Sequence, residues 1–307
     1  MSWLEKIFSK DKRLSSVKRN LPDGIWGKCK GCDKYLYLQD FKKNSNVCGD
    51  CNYHDAIDPK ERLQSFLDAG SFQELADFFQ AKDILGFKDT KKYQDRIKDA
   101  KKNTGYNEAL IVGKGKLYDF DVMVCVFNFS FIGGSLSSAV GDKFVFACQS
   151  AIDNKIPLIC FSASGGARMQ ESMLALMQMW RTSFMLSLLD QQAIPFISVI
   201  TNPTFGGVSA SLASLGDVNI AEPKALTGFA GQRVIKQTLG EDLPEGFQTS
   251  EYLLSKGMLD MIVSRKDMRK VIFSILDKLY FHKNKTKFIP SDLVSDLVVT
   301  EDCDAKN

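Results

Sequence analysis

The 307-residue chain has 44% hydrophobic and 25% charged residues and a net charge of +3. That is the balance of a globular protein with room for one large domain or two smaller ones, and it excludes an overall polyelectrolyte partner. No apolar run has the length of a membrane span or the form of a secretory leader, and cysteines lying in apolar runs suit a reducing cytoplasm.

Residues 1–24 form a basic leader with an amphipathic turn around Trp3, Leu4, Ile7 and Phe8. Residues 25–57 hold Cys29, Cys32, Cys48 and Cys51, two CxxC knuckles at the separation of a four-thiolate zinc ribbon. Each knuckle presents two thiolates on one side of a tight turn, with Gly31 and Gly49 inside the turns. Two knuckles close a Zn²⁺ tetrahedron and leave no open position, so the metal is structural. Between them Tyr35–Leu38 reads as a short strand.

A larger domain follows over 58–288, and an acidic tail over 289–307. Asp58 and Pro59 open a helix as N-cap and first helical residue, with Leu63, Phe66 and Leu67 on its apolar face. Residues 71–104 read as helical, charged and solvated. Ala109–Lys116 and Val122–Phe131 read as a hairpin around Tyr118–Asp121. One pattern then recurs three times: a strand, a Gly-Gly step, a helix. The steps are Gly133-Gly134, Gly165-Gly166 and Gly206-Gly207, and the helices are expected at 138–153, Met169–Leu189 and 208–215. Such repetition implies stacked supersecondary units of α/β class.

A strand ending in Gly-Gly before a helix leaves backbone N–H groups that bind phosphate or stabilise an oxyanion, and it is also an ordinary tight turn. Neither nucleotide fingerprint is present. Ser162 and Ser164 do not lie in G-x-S-x-G, and the two histidines, His54 and His282, are not placed as a triad base. Oxyanion donors without a base suit a reaction whose cofactor carries the base. Carboxyl transfer from carboxybiotin is one: loss of CO₂ leaves a ureido anion that takes the α-proton of a thioester, and the enolate attacks CO₂.

The segments Leu158–Glu171 (LICFSASGGARMQE), Thr201–Ser211 (TNPTFGGVSAS) and Gly216–Leu226 (GDVNIAEPKAL), with the upstream ribbon, resemble the β subunits of bacterial acetyl-CoA carboxylase carboxyltransferase. The resemblance runs from about Met1 to Leu279. It implies a crotonase-like (ClpP-like) spiral of ββα units behind the ribbon. It implies carboxyl transfer from biotin on a carrier protein to acetyl-CoA, giving malonyl-CoA in the first committed step of fatty-acid synthesis. The implied partners are a carboxyltransferase α subunit in an α₂β₂ assembly, a biotin carboxyl carrier protein and biotin carboxylase. Gly206 and Gly207 match the family's enolate-oxyanion donors, and Ser164, Gly165, Gly166 and Arg168 match its coenzyme A contacts. Arg168 either pairs with a phosphate or holds a structural ion pair. The methionine-rich helix at 169–189 reads as a subunit interface. A nucleic-acid-binding ribbon is the rival reading, disfavoured because the basic stretch lacks interleaved Arg and aromatic residues. A stand-alone crotonase-type hydratase or thioester hydrolase is a third.

Overall fold

A computed structural model describes residues 25–240 and 243–281. The leader, the acidic tail and His282 lie outside the described residues. In the ribbon, β1 (Trp26–Lys28) pairs antiparallel with β2 (Tyr35–Tyr37). Leu38, expected in the strand, instead opens α1 (Leu38–Lys43).

α2 (Pro59–Phe66) begins as its sequence requires, the Asp58 carboxylate accepting from the Lys60 N–H at 2.8 Å. Its face buries Leu63 and Phe66, and Leu67 follows them into the core. Each such side chain contributes roughly 1.5–3 kcal/mol by leaving water.

The main sheet has the order β10-β8-β7-β6-β5-β4-β3. Its strands are β3 (Gln73–Leu75), β4 (Leu110–Leu117), β5 (Phe120–Phe127), β6 (Leu158–Ser164), β7 (Phe196–Phe205), β8 (Val218–Ala221) and β10 (Met261–Ile262). A two-residue strand, β9 (Thr227–Gly228), pairs with the end of β7. From β5 through β8 to β10 the pairing is parallel, and β3, β4 and β5 form an antiparallel edge. β6 is buried at every position, as a central parallel strand covered on both faces should be. The β4–β5 hairpin closes on Tyr118 and Asp119 alone, with φ of 49° and 65°, the left-handed pair that matches strand twist.

The expectation of helix throughout 71–104 fails. Only α3 (Tyr93–Thr104) is a regular helix there, and Gln73–Leu75 extends the sheet. Ala76 and Gly86 take φ of 62° and 63°, which no continuous right-handed helix accommodates. Nor is the segment all solvated, because Tyr93 is fully buried.

α4 (Ser138–Asn154) lies on β4 and β5 and packs against α5 (Met173–Gln191). α5 starts four residues later than expected because Ser172 (φ 49°, ψ −125°) separates it from a 3₁₀ turn at Met169–Glu171. That turn sends Glu171 back to α4, where its carboxylate accepts from the Ser138 N–H and hydroxyl at 2.6 and 2.7 Å. The third helix is one turn, α6 (Gly206–Ser209), followed by a 3₁₀ turn at Leu212–Ser214. α7 (Gln232–Leu239), α8 (Ser250–Ser255) and α9 (Met268–Leu279) complete the described chain. Among the described residues no helix is long and apolar enough to cross a membrane.

Candidate active site

The two knuckles are built alike. The Asp33 N–H donates to Cys29 O and the Asn52 N–H to Cys48 O, both at 3.0 Å. The left-handed residues are Asp33 and Asn52 (φ 61° and 56°), just after the second cysteine of each knuckle, and not the glycines. Gly31 is needed for space, since a Cβ there would lie 2.7 Å from Tyr53 Cβ, whereas one on Gly49 would meet nothing. All four Sγ atoms lie within 4.8 Å of one another; Cys29–Cys51 is 3.6 Å and Cys32–Cys48 4.0 Å. A thiolate tetrahedron about Zn²⁺ with 2.3 Å bonds has edges of about 3.8 Å. The four residues therefore fit the metal. They would hold it as a closed site whose contribution is to folding.

The three Gly-Gly steps stand side by side. The Gly165 N–H donates to Gly133 O at 2.8 Å, and the Leu136 N–H to Gly166 O at 2.9 Å. A Cβ on Gly134 would sit 2.1 Å from Ala163 O, and one on Gly206 2.9 Å from Gly166 Cα. Close backbone approach between successive units is thus a first reason for glycine here. It also engages most of the expected donors. The Gly166 N–H goes to Ser164 Oγ at 3.0 Å and the Gly206 N–H to Phe229 O at 2.9 Å. Of the four glycines in the second and third steps, Gly207 alone keeps an N–H with no acceptor among the described residues. The pair expected at Gly206 and Gly207 is therefore one open donor in this conformation.

Arg168 is sealed. Its side chain has no exposed surface. Nε donates to Ser135 Oγ, Nη1 to Tyr93 Oη and Glu108, and Nη2 to Glu108 at 2.5 Å and Ser135 O at 3.0 Å. All five N–H groups are engaged, so none is left for a phosphate. The ion-pair alternative is the one the fold builds. Burial opposes the guanidinium's charge, but Glu108 outweighs it and raises the pKa further. The network ties the residue after the first glycine step (Ser135) to the second step (Arg168). Through the Tyr93 hydroxyl it reaches Glu171 at 2.6 Å, and thence the start of α4. Sequence reasoning missed Glu108, Tyr93 and Glu171, which lie up to 75 residues from Arg168 in the chain.

A second buried cluster joins ribbon to core. Glu222 accepts from Arg62 Nη1 at 2.9 Å and from Arg265 Nε and Nη2 at 2.8 and 2.7 Å. Burial pushes its carboxyl up, but the two arginines prevail and bring it down to about 2. Arg265 continues to Ser45 O at 2.6 Å, and its N–H donates to His54 Nε2 at 3.2 Å. His54 Nδ1 faces Asn52 O at 2.9 Å, so the ring is the neutral tautomer that donates from Nδ1. Burial lowers its pKa. Both ring nitrogens serve the ribbon's seat.

Comparison with known proteins assigns the fold. The carboxyl transferase domain family matches residues 59–290. The chain belongs to the carboxyl transferase domain family. Transcarboxylase 12S, solved with hydrolysed methylmalonyl-coenzyme A bound, is 24% identical with a TM-score of 0.62, over 78% of this chain and 42% of that one. A Pseudomonas malonate decarboxylase hetero-tetramer in complex with malonate is 22% identical with a TM-score of 0.56, over 79% and 90%. The β subunit of P. aeruginosa geranyl-CoA carboxylase is 19% identical with a TM-score of 0.58, over 82% and 43%. The chain thus spans about two fifths of the transcarboxylase chain. As a carboxyl transferase domain it has the crotonase-like α/β fold, and four clustered cysteines stand ahead of it.

One surface of this carboxyl transferase domain is conspicuously apolar. Met173, Leu176, Met177, Trp180 and Phe184 of α5 are 47–64% exposed, with Trp180 stacked on Phe184 at 5.7 Å between centroids. Contiguous apolar surface of this kind marks an interaction site.

Proposed function

We propose that this chain is the β subunit of an acetyl-CoA carboxylase carboxyltransferase, which holds acetyl-CoA while a carboxyl group passes from biotin on a carrier protein to give malonyl-CoA. The carrying observation is the unpaired Gly207 N–H at a strand-to-helix step of a carboxyl transferase fold. Carboxybiotin, when bound, supplies both the CO₂ and the base for the α-proton. Gly207 donates to the thioester oxygen as enolate charge develops there. A preorganised donor of this type is worth about 3 kcal/mol in the transition state, or roughly a hundredfold in rate. The Ser135–Arg168–Glu108 network holds the neighbouring steps rigid, so the donor is in place before the reaction. Among the described residues the one histidine, His54, is committed to the ribbon's seat, in keeping with this division of labour.

The open Gly207 donor and the exposed α5 face favour a site completed by a partner, a carboxyltransferase α subunit that supplies the biotin side. The decisive assay is malonyl-CoA consumption with biocytin, with and without that subunit. The reading expects activity only from the mixture. Decarboxylation independent of biocytin would indicate malonate-decarboxylase-type chemistry instead, and activity of this chain alone a crotonase-type hydrolase. Within the active mixture, Gly207→Ala is expected to lower kcat on the order of a hundredfold with little change in KM. Its Cβ would lie 3.1 Å from Met179 Sδ and 3.4 Å from Ala167 Cβ, so it shifts the step without filling the substrate's place. An unchanged kcat rules out the oxyanion role.

A further inference from the structure

Gly206 is held at both ends. Its N–H donates to Phe229 O at 2.9 Å. Its carbonyl accepts from the Ala210 N–H at 3.0 Å and from Ser209 Oγ at 2.8 Å. That carbonyl belongs to the same peptide group as the open Gly207 N–H. In a trans peptide the C=O and N–H lie in one plane and point in opposite directions. Whatever fixes the Gly206 carbonyl therefore also aims the Gly207 donor. The turn Gly206–Ser209 is only four residues long, too short for helical hydrogen bonds alone to hold its first peptide.

Ser209 is half-buried. A serine hydroxyl that returns to the carbonyl three residues back is in itself an ordinary local arrangement. Two features set this one apart. The Gly206 carbonyl already has the Ala210 N–H, so the hydroxyl is not needed to satisfy it. The same Oγ also lies 2.8 Å from Gly228 O, on the short strand β9 that pairs with the end of β7. A hydroxyl has one proton to donate, so Ser209 stands between two carbonyls with one proton for both. The neighbouring Ser211 is not divided in this way: its Oγ is buried and donates to Gly207 O at 2.6 Å.

The two ends of a peptide group are electronically coupled. When the N–H donates to an anion, density moves onto the carbonyl oxygen and makes it a better acceptor. A donor on that oxygen strengthens the N–H in return. As enolate charge develops against Gly207, the Gly206 carbonyl becomes the better of the two acceptors facing Ser209. The proton then turns from Gly228 O to Gly206 O without leaving Oγ, so no covalent bond forms or breaks. We propose that Ser209 is a positioning residue of the oxyanion step, whose hydroxyl orients and polarises the Gly206–Gly207 peptide, most strongly in the transition state. This rests on the reading of Gly207 as the enolate donor. Ser209 acts through the peptide and not on the substrate, so its effect falls on turnover and not on binding.

The sequence has three Gly-Gly peptides, Gly133-Gly134, Gly165-Gly166 and Gly206-Gly207. In the full metal-loaded chain labelled with carbonyl-¹³C, ¹⁵N glycine, an HNCO spectrum therefore contains three cross-peaks, and Gly207→Ala identifies the one sought. Ser209→Ala is expected to move that peak upfield in its amide-proton and carbonyl dimensions and to leave the other two in place. Ser209→Thr keeps a hydroxyl and is expected to leave the peak near its wild-type position. In the active mixture with the partner subunit, Ser209→Ala is expected to lower kcat roughly tenfold with KM changed less than about twofold, and Ser209→Thr to recover most of the loss. Ser209→Cys, close in size and a weaker donor, should fall between wild type and Ser209→Ala in both readouts, which keeps the test open if Ser209→Ala loosens the turn. An unmoved cross-peak or an unchanged kcat in Ser209→Ala overturns the proposal. So does a loss of kcat that Ser209→Thr fails to recover, or one matched by a rise in KM, because a packing defect produces either. If Gly207→Ala slows transfer and Ser209→Ala does not, the Ser209 assignment falls and the functional reading stands. If the mixture shows no transfer at all, the functional reading falls and the Ser209 assignment with it.

Discussion

His54 and Arg168 are both buried, and burial acts on them in opposite ways. His54 is neutral when folded, because desolvation disfavours the imidazolium and its Nε2 must accept from Arg265. Its folded pKa lies below the ordinary value near 6.5, so the unfolded chain binds the extra proton first. Stability from this residue is complete above that pH and declines as pH falls below it. The chain has two histidines, so NMR titration is readable: one imidazole is expected to titrate below 6.5, and its resonance to vanish in His54→Asn. A His54 pKa at or above 6.5 contradicts the buried seat. Arg168 is charged and buried, held by Glu108 and Ser135. Arg168→Met leaves Glu108 uncompensated, and denaturant unfolding should show a loss of about 3–5 kcal/mol. Loss of coenzyme A affinity without loss of stability would restore the phosphate role.

At the scale of elements, the ribbon has little apolar core of its own, so a metal held by its four thiolates would carry its stability. Cys29→Ser is expected to bind substoichiometric zinc by elemental analysis and to lose amide protection across residues 25–57, while the 58–281 core stays folded. Zinc-free wild-type protein with the same protection would show that the knuckles hold without metal. α5 poses the complementary case. Its inner face packs on α4, and its outer face leaves Trp180 and Phe184 to solvent. Trp180→Glu should leave the thermal midpoint of the isolated chain within a few degrees. It should weaken association with the proposed carboxyltransferase α subunit by at least tenfold, as loss of a central aromatic anchor does. Unchanged association by analytical ultracentrifugation would place the interface elsewhere.

For the whole molecule, the composition, the paired CxxC motifs and the repeated strand–Gly-Gly–helix pattern pointed to an α/β protein with a four-cysteine ribbon ahead of it. The N-cap at Asp58, the tight β4–β5 turn and the apolar strands before the glycine steps were legible for the same reason: propensity, capping and periodicity act within a few residues. Segment 71–104 misled because its charged composition suits a helix, whereas Gln73–Leu75 takes its partners from β4, some forty residues on. The sequence also located all three glycine steps, but not which of their N–H groups stay open. That was decided by the stacking of one step on the next, which engages the Gly165 N–H, by Ser164, whose hydroxyl takes the Gly166 N–H, and by Phe229, which takes the Gly206 N–H. Likewise the motif placed Arg168 beside a glycine step, but Glu108, 60 residues away, withdrew it from any ligand. Arg62 carried no sequence signal, and only its pairing with Glu222, 160 residues away, set it in the wall of a cleft. Local chemistry determined the class of protein and its four-cysteine cluster; partner choice among buried polar groups depends on which distant segments meet, and so belonged to the tertiary structure.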